Sequence, residues 1–258
     1  MTQLLVGMVH LPPLPGAARA ADSMDAIEAR AVSEARLLAE HGFDACVLEN
    51  FGDSPFWKDA VEPVTVAACA RLVAAVRRAV PQLRLGVNML RNDARAALSI
   101  ATACDAAFVR VNVHVGATAT DQGVIEGRAA ETLRLRRALG SRVEIWADVH
   151  VKHGRPLAHA DIASEAADAV RRGHADAVIV SGAGTGLATN LADVRAVAAL
   201  GLGVPVLIGS GVTAATVAAG LAVADGVIVG SALERDGKAG APLDSARLRS
   251  FVAAARGR

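Results

Sequence analysis

Apolar runs of four to six residues alternate with longer amphipathic segments along the whole chain. The runs lie at 4–9, 45–49, 84–88, 107–111, 144–149, 177–180, 204–209 and 226–229, and they are mostly apolar at successive positions. That is the pattern of parallel strands covered by helices on the outside, not of a sheet with one wet face. The segments between them carry helix start and stop signals. Ser23 is placed to cap the first helix and His41-Gly42 to end it. Asp161 is placed to cap the fifth, which stops at Arg171-Arg172-Gly173, while Asn190 opens the sixth and Thr213 the seventh. Eight strand–helix units predict a closed α/β barrel, the (β/α)8 TIM barrel, as one domain over 1–258. The competing fold is an open Rossmann-like sheet, but no G-x-G-x-x-G follows the first strand.

The connections are unequal. Segments that lead from a helix into the next strand are short, as at 173–176 and 201–203. Those that leave a strand are longer: 10–22, 50–61, 112–127, 150–160 and 181–189. In a barrel the long set emerges on the C-terminal face, where barrel active sites lie. Loops of this length in a compact domain are usually functional or mobile.

Glycine turns end the last two strands. The seventh finishes Gly209-Ser210-Gly211 and leads to a helix from Thr213; the eighth finishes Gly230-Ser231-Ala232. Glycine lets the backbone approach an anion closely, and a following helix N-terminus adds partial positive charge. A pair of such turns after strands seven and eight matches the phosphate position of this fold. The sixth strand ends Ser181-Gly182-Ala183-Gly184-Thr185-Gly186, which either extends the anion site or is a permissive loop. The anion-binding candidates are therefore Ser181, Gly182, Gly209, Ser210, Gly211, Gly230 and Ser231. No Walker-type G-x-x-x-x-G-K-[ST] occurs.

Polar residues close several strands. On the fifth, Asp148, His150 and Lys152 share a face if the strand stays extended. Lys152 is suited to neutralising a phosphate or carboxylate, or, with a depressed pKa, to forming a Schiff base with a carbonyl. His150 and His153 are candidate proton carriers. Arg110 and Asn112 share a face on the fourth strand, and an arginine inside a barrel needs a partner such as Glu49 or Asp148, or a bound anion. Glu49 is a candidate general base or part of that pair. Asn88 is a candidate to orient a hydroxyl, and Asp121 in the longest loop to close over a ligand.

Composition narrows the classes. The formal net charge is +1 with both signs interspersed, so no nucleic-acid or membrane-surface footprint is expected. Hydrophobic residues make up 53%, yet no stretch approaches the ~20 uninterrupted apolar residues of a membrane span. No leader is read at the N-terminus, and Cys46, Cys69 and Cys104 read as buried thiols in a reducing cytoplasm. Glu49, Asp148, His10, His150 and His153 are acceptable metal ligand types, but no H-E-x-x-H helix occurs. Neither metal nor cofactor is expected. No G-x-S-x-G elbow suggests hydrolase chemistry.

The stretches Gly7-Met8-Val9-His10-Leu11-Pro12-Pro13-Leu14-Pro15-Gly16, Leu48-Glu49-Asn50-Phe51-Gly52-Asp53, Asn88-Met89-Leu90-Arg91-Asn92-Asp93, Thr120-Asp121-Gln122-Gly123 and Asp148-Val149-His150-Val151-Lys152-His153 run across nearly the whole chain. Together they resemble the BtpA family, SgcQ-like proteins included. The resemblance implies a barrel of the ribulose-phosphate-binding type. It also implies kinship with a photosystem I biogenesis role in cyanobacteria and with proteins associated with sugar-utilisation genes.

Two functional expectations follow. The first is a cytoplasmic lyase or isomerase acting on a small phosphorylated sugar or related metabolite. In it Asp148, Lys152 and Glu49 are catalytic, and Arg110, Asn112, Asn88, His150 and Asp121 bind substrate. The second is a non-catalytic assembly or stability factor for a membrane complex, without a membrane segment of its own. A homo-oligomer is compatible with either.

Overall fold

The structure is a computed structural model that describes residues 3–157, 161–182, 184 and 188–257. Each of the eight apolar runs forms a strand: β1 (Leu4–His10), β2 (Ala45–Glu49), β3 (Arg84–Asn88), β4 (Phe108–Val111), β7 (Glu144–Val149), β9 (Ala177–Ser181), β10 (Val206–Gly209) and β11 (Gly226–Val229). They close in the order β1-β2-β3-β4-β7-β9-β10-β11 and back to β1, every pair parallel. Around them run α1 (Met24–Glu40), α2 (Pro63–Ala79), α3 (Ala94–Ala103), α4 (Ala129–Ala138), α5 (Ile162–Arg171), α6 (Leu191–Ala198), α7 (Val217–Leu221) and α8 (Ser245–Arg256). Ser23, Asp161 and Asn190 cap α1, α5 and α6, their side chains accepting from the amides of Ala26, Ser164 and Ala192. None of the helices described is long and apolar enough to cross a membrane.

Two expectations are corrected. The seventh helix begins at Val217, not Thr213; residues 214–216 form a turn first, in which the Thr213 amide donates to Thr216 Oγ1. The long segments 112–127 and 150–160 are not wholly loop. Within them β5 (Ala117–Thr120), β6 (Gly123–Glu126) and β8 (Gly154–Pro156) form a small antiparallel sheet in the order β6-β5-β8. Its apolar side chain Ile125 is buried with Val113 and Val151 in a core of its own.

The core has two shells. Helices pack on the outward side chains of the strands, and inward side chains such as Val6, Val47, Phe108, Trp146, Ile179 and Leu207 fill the barrel. Phe108 and Trp146 stack with ring centroids 3.7 Å apart. At the N-terminal rim Trp146 Nε1 donates to Glu144, which also accepts two bonds from Arg84, each 3.0 Å. This end is therefore a sealed floor. Gly86 on β3 lies against the Phe108 ring, where a Cβ would overlap it. Gly86→Ala is expected to destabilise the fold by about 1–3 kcal/mol through overpacking, read as a lower urea midpoint with an unchanged slope. An unchanged midpoint would mean that the stacked rings have room to move.

Candidate functional site

At the opposite end, the last inward position of most strands is polar and buried: His10, Glu49, Asn88, Arg110 and Asp148, with Asn112 just beyond β4. Such a ring survives burial only if its members satisfy one another. Asp148 is the best-connected of them. Arg110 donates from Nε to Oδ2 and from Nη2 to Oδ1, each at 3.0 Å. Asn112 Nδ2 donates to Oδ2 at 2.6 Å and Ser181 Oγ to Oδ1 at 3.1 Å. These four bonds fill the lone pairs of the carboxylate. Asp148 thus meets the expectation that Arg110 needs a buried partner, but it has no open position from which to take a proton. Asp148, a catalytic candidate from sequence, is thus engaged by the side chains of Arg110, Asn112 and Ser181.

Glu49 accepts from Asn88 Nδ2 at 2.5 Å through Oε2, and its Oε1 lies 3.8 Å from His10 Nε2. Burial works to raise its pKa. The charges of Lys152 and Arg110, the nearby His10 and the Asn88 hydrogen bond outweigh that, and hold it below the ordinary carboxylate value. Glu49 is therefore ionised at neutral pH. His10 is fixed from its other side, with Nδ1 2.6 Å from Glu234 Oε1 and the ring 4.5 Å from that of Phe51. The amide of Gly240 donates to Glu234 Oε2 at 3.2 Å, which keeps that carboxylate in place. In a neutral imidazole this assigns the proton to Nδ1 and leaves Nε2 as the free acceptor. Gly230 makes the arrangement feasible, since a Cβ there would lie 2.6 Å from His10 Cε1.

A narrow cleft opens above this ring, lined by His10, Arg110, Lys152, Ser210, Gly211, Gly230 and Ser231 among others. Ser210 and Gly211 both have positive φ, 84° and 67°. For serine that is a strained backbone, of the kind that tends to persist at functional sites. Among the described residues no backbone acceptor engages the amides of Gly211, Val212, Ser231 or Ala232. Ser210 Oγ donates to the Gly184 carbonyl at 3.1 Å. Beside this cleft is a wider opening of about 570 Å³, lined by Arg19, Glu49, Phe51, Arg91, Asp121, Lys152 and His153 among others. Lys152 borders both.

Lys152 reaches this position by a turn rather than along an extended strand. β7 stops at Val149, and His150 and His153 both take positive φ, 47° and 59°. Arg91, which follows Leu90 through a cis peptide, donates from Nη2 to the Lys152 carbonyl at 2.8 Å. Burial pushes the Lys152 ammonium below the ordinary lysine pKa, with Arg110 and Arg91 acting in the same sense and Glu49 and Asp148 opposing. Among the described residues no hydrogen bond or ion pair engages Nζ.

The same turn corrects another expectation. His150 does not share the face of Asp148: its ring points to α5, with Nε2 3.5 Å from Glu165 Oε2, and it lines neither opening. Asp121 does reach the wider opening, from the β5–β6 turn. Of the anion-binding candidates, Ser210, Gly211, Gly230 and Ser231 border the narrow cleft, while Ser181, Gly182 and Gly209 do not. Ser181 is committed to Asp148, and Gly209 leaves room for Ile179 and Arg110, whose atoms would be 2.6 and 3.6 Å from a Cβ. Ala183, Thr185 and Gly186 of the same loop, and His159, lie outside the described residues. Among the described residues no group of three or more His, Cys, Asp or Glu side chains is disposed to hold a metal ion. Sequence reasoning missed His10 as a proton carrier, and Arg91 and Glu234 altogether. His10 ends β1 and was open to the strand-end argument applied to Glu49; Glu234 carried no comparable signal.

The BtpA family profile matches residues 1–257. A protein of Synechocystis sp. named photosystem I biogenesis protein BtpA is 44% identical over 250 residues, covering 97% of this chain and 87% of that relative. An uncharacterized protein of Thermococcus kodakarensis is 45% identical over 252 residues, covering 98% and 95%. Among solved structures, N-(5'-phosphoribosyl)anthranilate isomerase from Pyrococcus furiosus superposes with a TM-score of 0.59 at 14% identity, covering 99% of this chain and 100% of that one. Tryptophan synthase subunit alpha from Legionella pneumophila does so with a TM-score of 0.61 at 14% identity, covering 99% and 94%. At these identities the likeness is one of fold alone, the (β/α)8 barrel.

Proposed function

The chain belongs to the BtpA family, and we propose that it is an enzyme, a lyase or isomerase acting on a small phosphorylated sugar or related metabolite. One observation carries the proposal. Unengaged amides from two loops, the cations Lys152 and Arg110, and the proton-carrying pair His10 and Glu49 all border one cleft or its rim. A cluster of ionisable groups beside an anion cradle is hard to explain as scaffolding.

The roles follow from the contacts. The amides of Gly211, Val212, Ser231 and Ala232 receive phosphate oxygens, and the Ser231 hydroxyl donates a further bond. Their backbone position, not a helix dipole, supplies the recognition, because α7 starts at Val217. Arg110, steadied by Asp148, and Lys152 balance the charge of the dianion. His10, oriented by Glu234, and Glu49, ionised, move protons at the reacting carbons. Arg91 and Asp121 contact the part of the substrate that extends into the wider opening.

The name of the Synechocystis relative supports a second reading, a non-catalytic factor in assembling a membrane complex. The two readings differ in what the cleft binds. A thermal-shift screen of phosphorylated aldoses and ketoses, with inorganic phosphate, sulfate and the unphosphorylated sugars as controls, separates them. Under the enzyme reading one sugar phosphate raises Tm by far more than its unphosphorylated form. A ligand at 100 times its Kd stabilises the folded state by about 2.7 kcal/mol. No shift with any phosphate compound at saturating concentration overturns the enzyme reading and leaves the assembly factor.

A further inference from the structure

We propose that Lys152 forms a covalent imine with the carbonyl carbon of a phosphorylated aldehyde or ketone held in the narrow cleft. The inference rests on the phosphate-binding reading above and adds to it the chemical class of the substrate and the nature of the intermediate.

The first argument is the choice of residue. The chain holds 27 lysines and arginines, of which the lysines are Lys58, Lys152 and Lys238. Buried cationic positions elsewhere at the mouth are filled by arginine, namely Arg91 and Arg110. For holding a phosphate, arginine is the better residue, with a planar fork of donors and a permanent charge. What a lysine offers and an arginine does not is a nitrogen that becomes a nucleophile on losing its proton.

The second argument is freedom. Every other charged group of the inner ring is committed: Glu49 to Asn88, Asp148 to Arg110, Asn112 and Ser181, and Glu234 to His10 and Gly240. Lys152 is anchored through its carbonyl by Arg91, yet among the described residues nothing binds its Nζ. Partial burial and the neighbouring charges of Arg110 and Arg91 lower its pKa, against Glu49 and Asp148, which raise it.

The third argument is proximity. Lys152 lines one cleft together with the residues of the two glycine turns and with His10. A phosphate held at the turns therefore presents a carbonyl on a short carbon chain to the amine. In the first step the Nζ lone pair forms the C–N bond, the carbonyl oxygen takes a proton, and the nitrogen loses one. In the second the hydroxyl takes a further proton and departs as water, leaving C=N⁺. The sum is amine, carbonyl and one proton going to iminium and water, with no oxidant or reductant. His10 Nε2 and Glu49 are the groups at hand to pass these protons. An iminium withdraws electrons from the adjacent carbon, which assists both C–C cleavage and enolisation, the two reaction types of the proposed function.

The test traps the imine. The protein is incubated with glycolaldehyde phosphate and sodium cyanoborohydride, then weighed intact and mapped by peptide. The expected result is one stable adduct on Lys152, at least about tenfold over Lys58 and Lys238, because only Lys152 borders the cleft that holds the phosphate. Excess inorganic phosphate suppresses it, and unphosphorylated glycolaldehyde forms it far more slowly. Lys152→Arg, which keeps a cation but no nucleophilic amine, loses the adduct. A thermal shift with glycolaldehyde phosphate but no preferential labelling of Lys152 overturns the imine and leaves the anion site standing. No thermal shift and no adduct overturn both.

Discussion

Asp148→Ala is expected to cost roughly 3–5 kcal/mol of folding free energy, because it strands Arg110 as an uncompensated charge inside the barrel. Both side chains are almost wholly removed from water, at 3% and 0% exposure, and their contact is bidentate. The loss does not stop at the ion pair. Asn112 Nδ2 and Ser181 Oγ donate to the same carboxylate, so three donors lose their acceptor at once. Asp148→Asn fares little better, since an amide replaces one pair of acceptor positions with donors that face donors. A paired replacement, Arg110→Met with Asp148→Leu, is expected to recover most of the stability while weakening anion binding. Urea denaturation of the four proteins decides the matter. If Asp148→Ala unfolds within about 0.5 kcal/mol of the parent, the pair does not hold the mouth in shape and the positioning role falls.

The same residues show how much was legible before the structure. The eight barrel strands were, because strands buried on both faces are written as unbroken apolar runs, and four of them have the predicted limits: 45–49, 84–88, 144–149 and 226–229. Caps were legible at Ser23, Asp161 and Asn190, where one side chain and one amide three or fewer residues away settle the helix start. Thr213 misled because a turn over 214–216, tied by its bonds to Thr216, precedes the helix. The small sheet was hidden in short segments such as Ala117–Thr120, whose alternation of alanine and threonine carries little apolar contrast. His150 misled because the argument from alternation assumed an extended chain, and one residue with φ of 47° ends the alternation. Beyond these, the site is made by contacts that no local pattern encodes. His10 and Glu234 meet from 224 residues apart. That Asp148 saturates its lone pairs is visible only when β4, β7 and β9 stand side by side.

Gly211→Asp is expected to weaken inorganic phosphate or sugar phosphate binding by on the order of a hundredfold, since setting one anion against another costs several kcal/mol and each 1.4 kcal/mol is a factor of ten. The position is chosen so that folding and binding separate. Gly211 has φ of 67°, a conformation that aspartate and asparagine visit more readily than other side chains, so the cost to the fold is about 1 kcal/mol. The new carboxylate enters a cleft that Lys152 and Arg110 already border, and pairing with either returns part of that cost while blocking the ligand. Gly211→Asn supplies nearly the same volume without the charge. If the turn binds phosphate through its amides, the asparagine variant keeps most of the ligand-induced rise in Tm and the aspartate variant loses it. Equal loss in both would put the effect down to shape, and the charge argument would fail. A full rise in both would place the phosphate elsewhere than at the Ser210–Val212 turn, and with it the cation balance assigned to Lys152 and Arg110 would have to move.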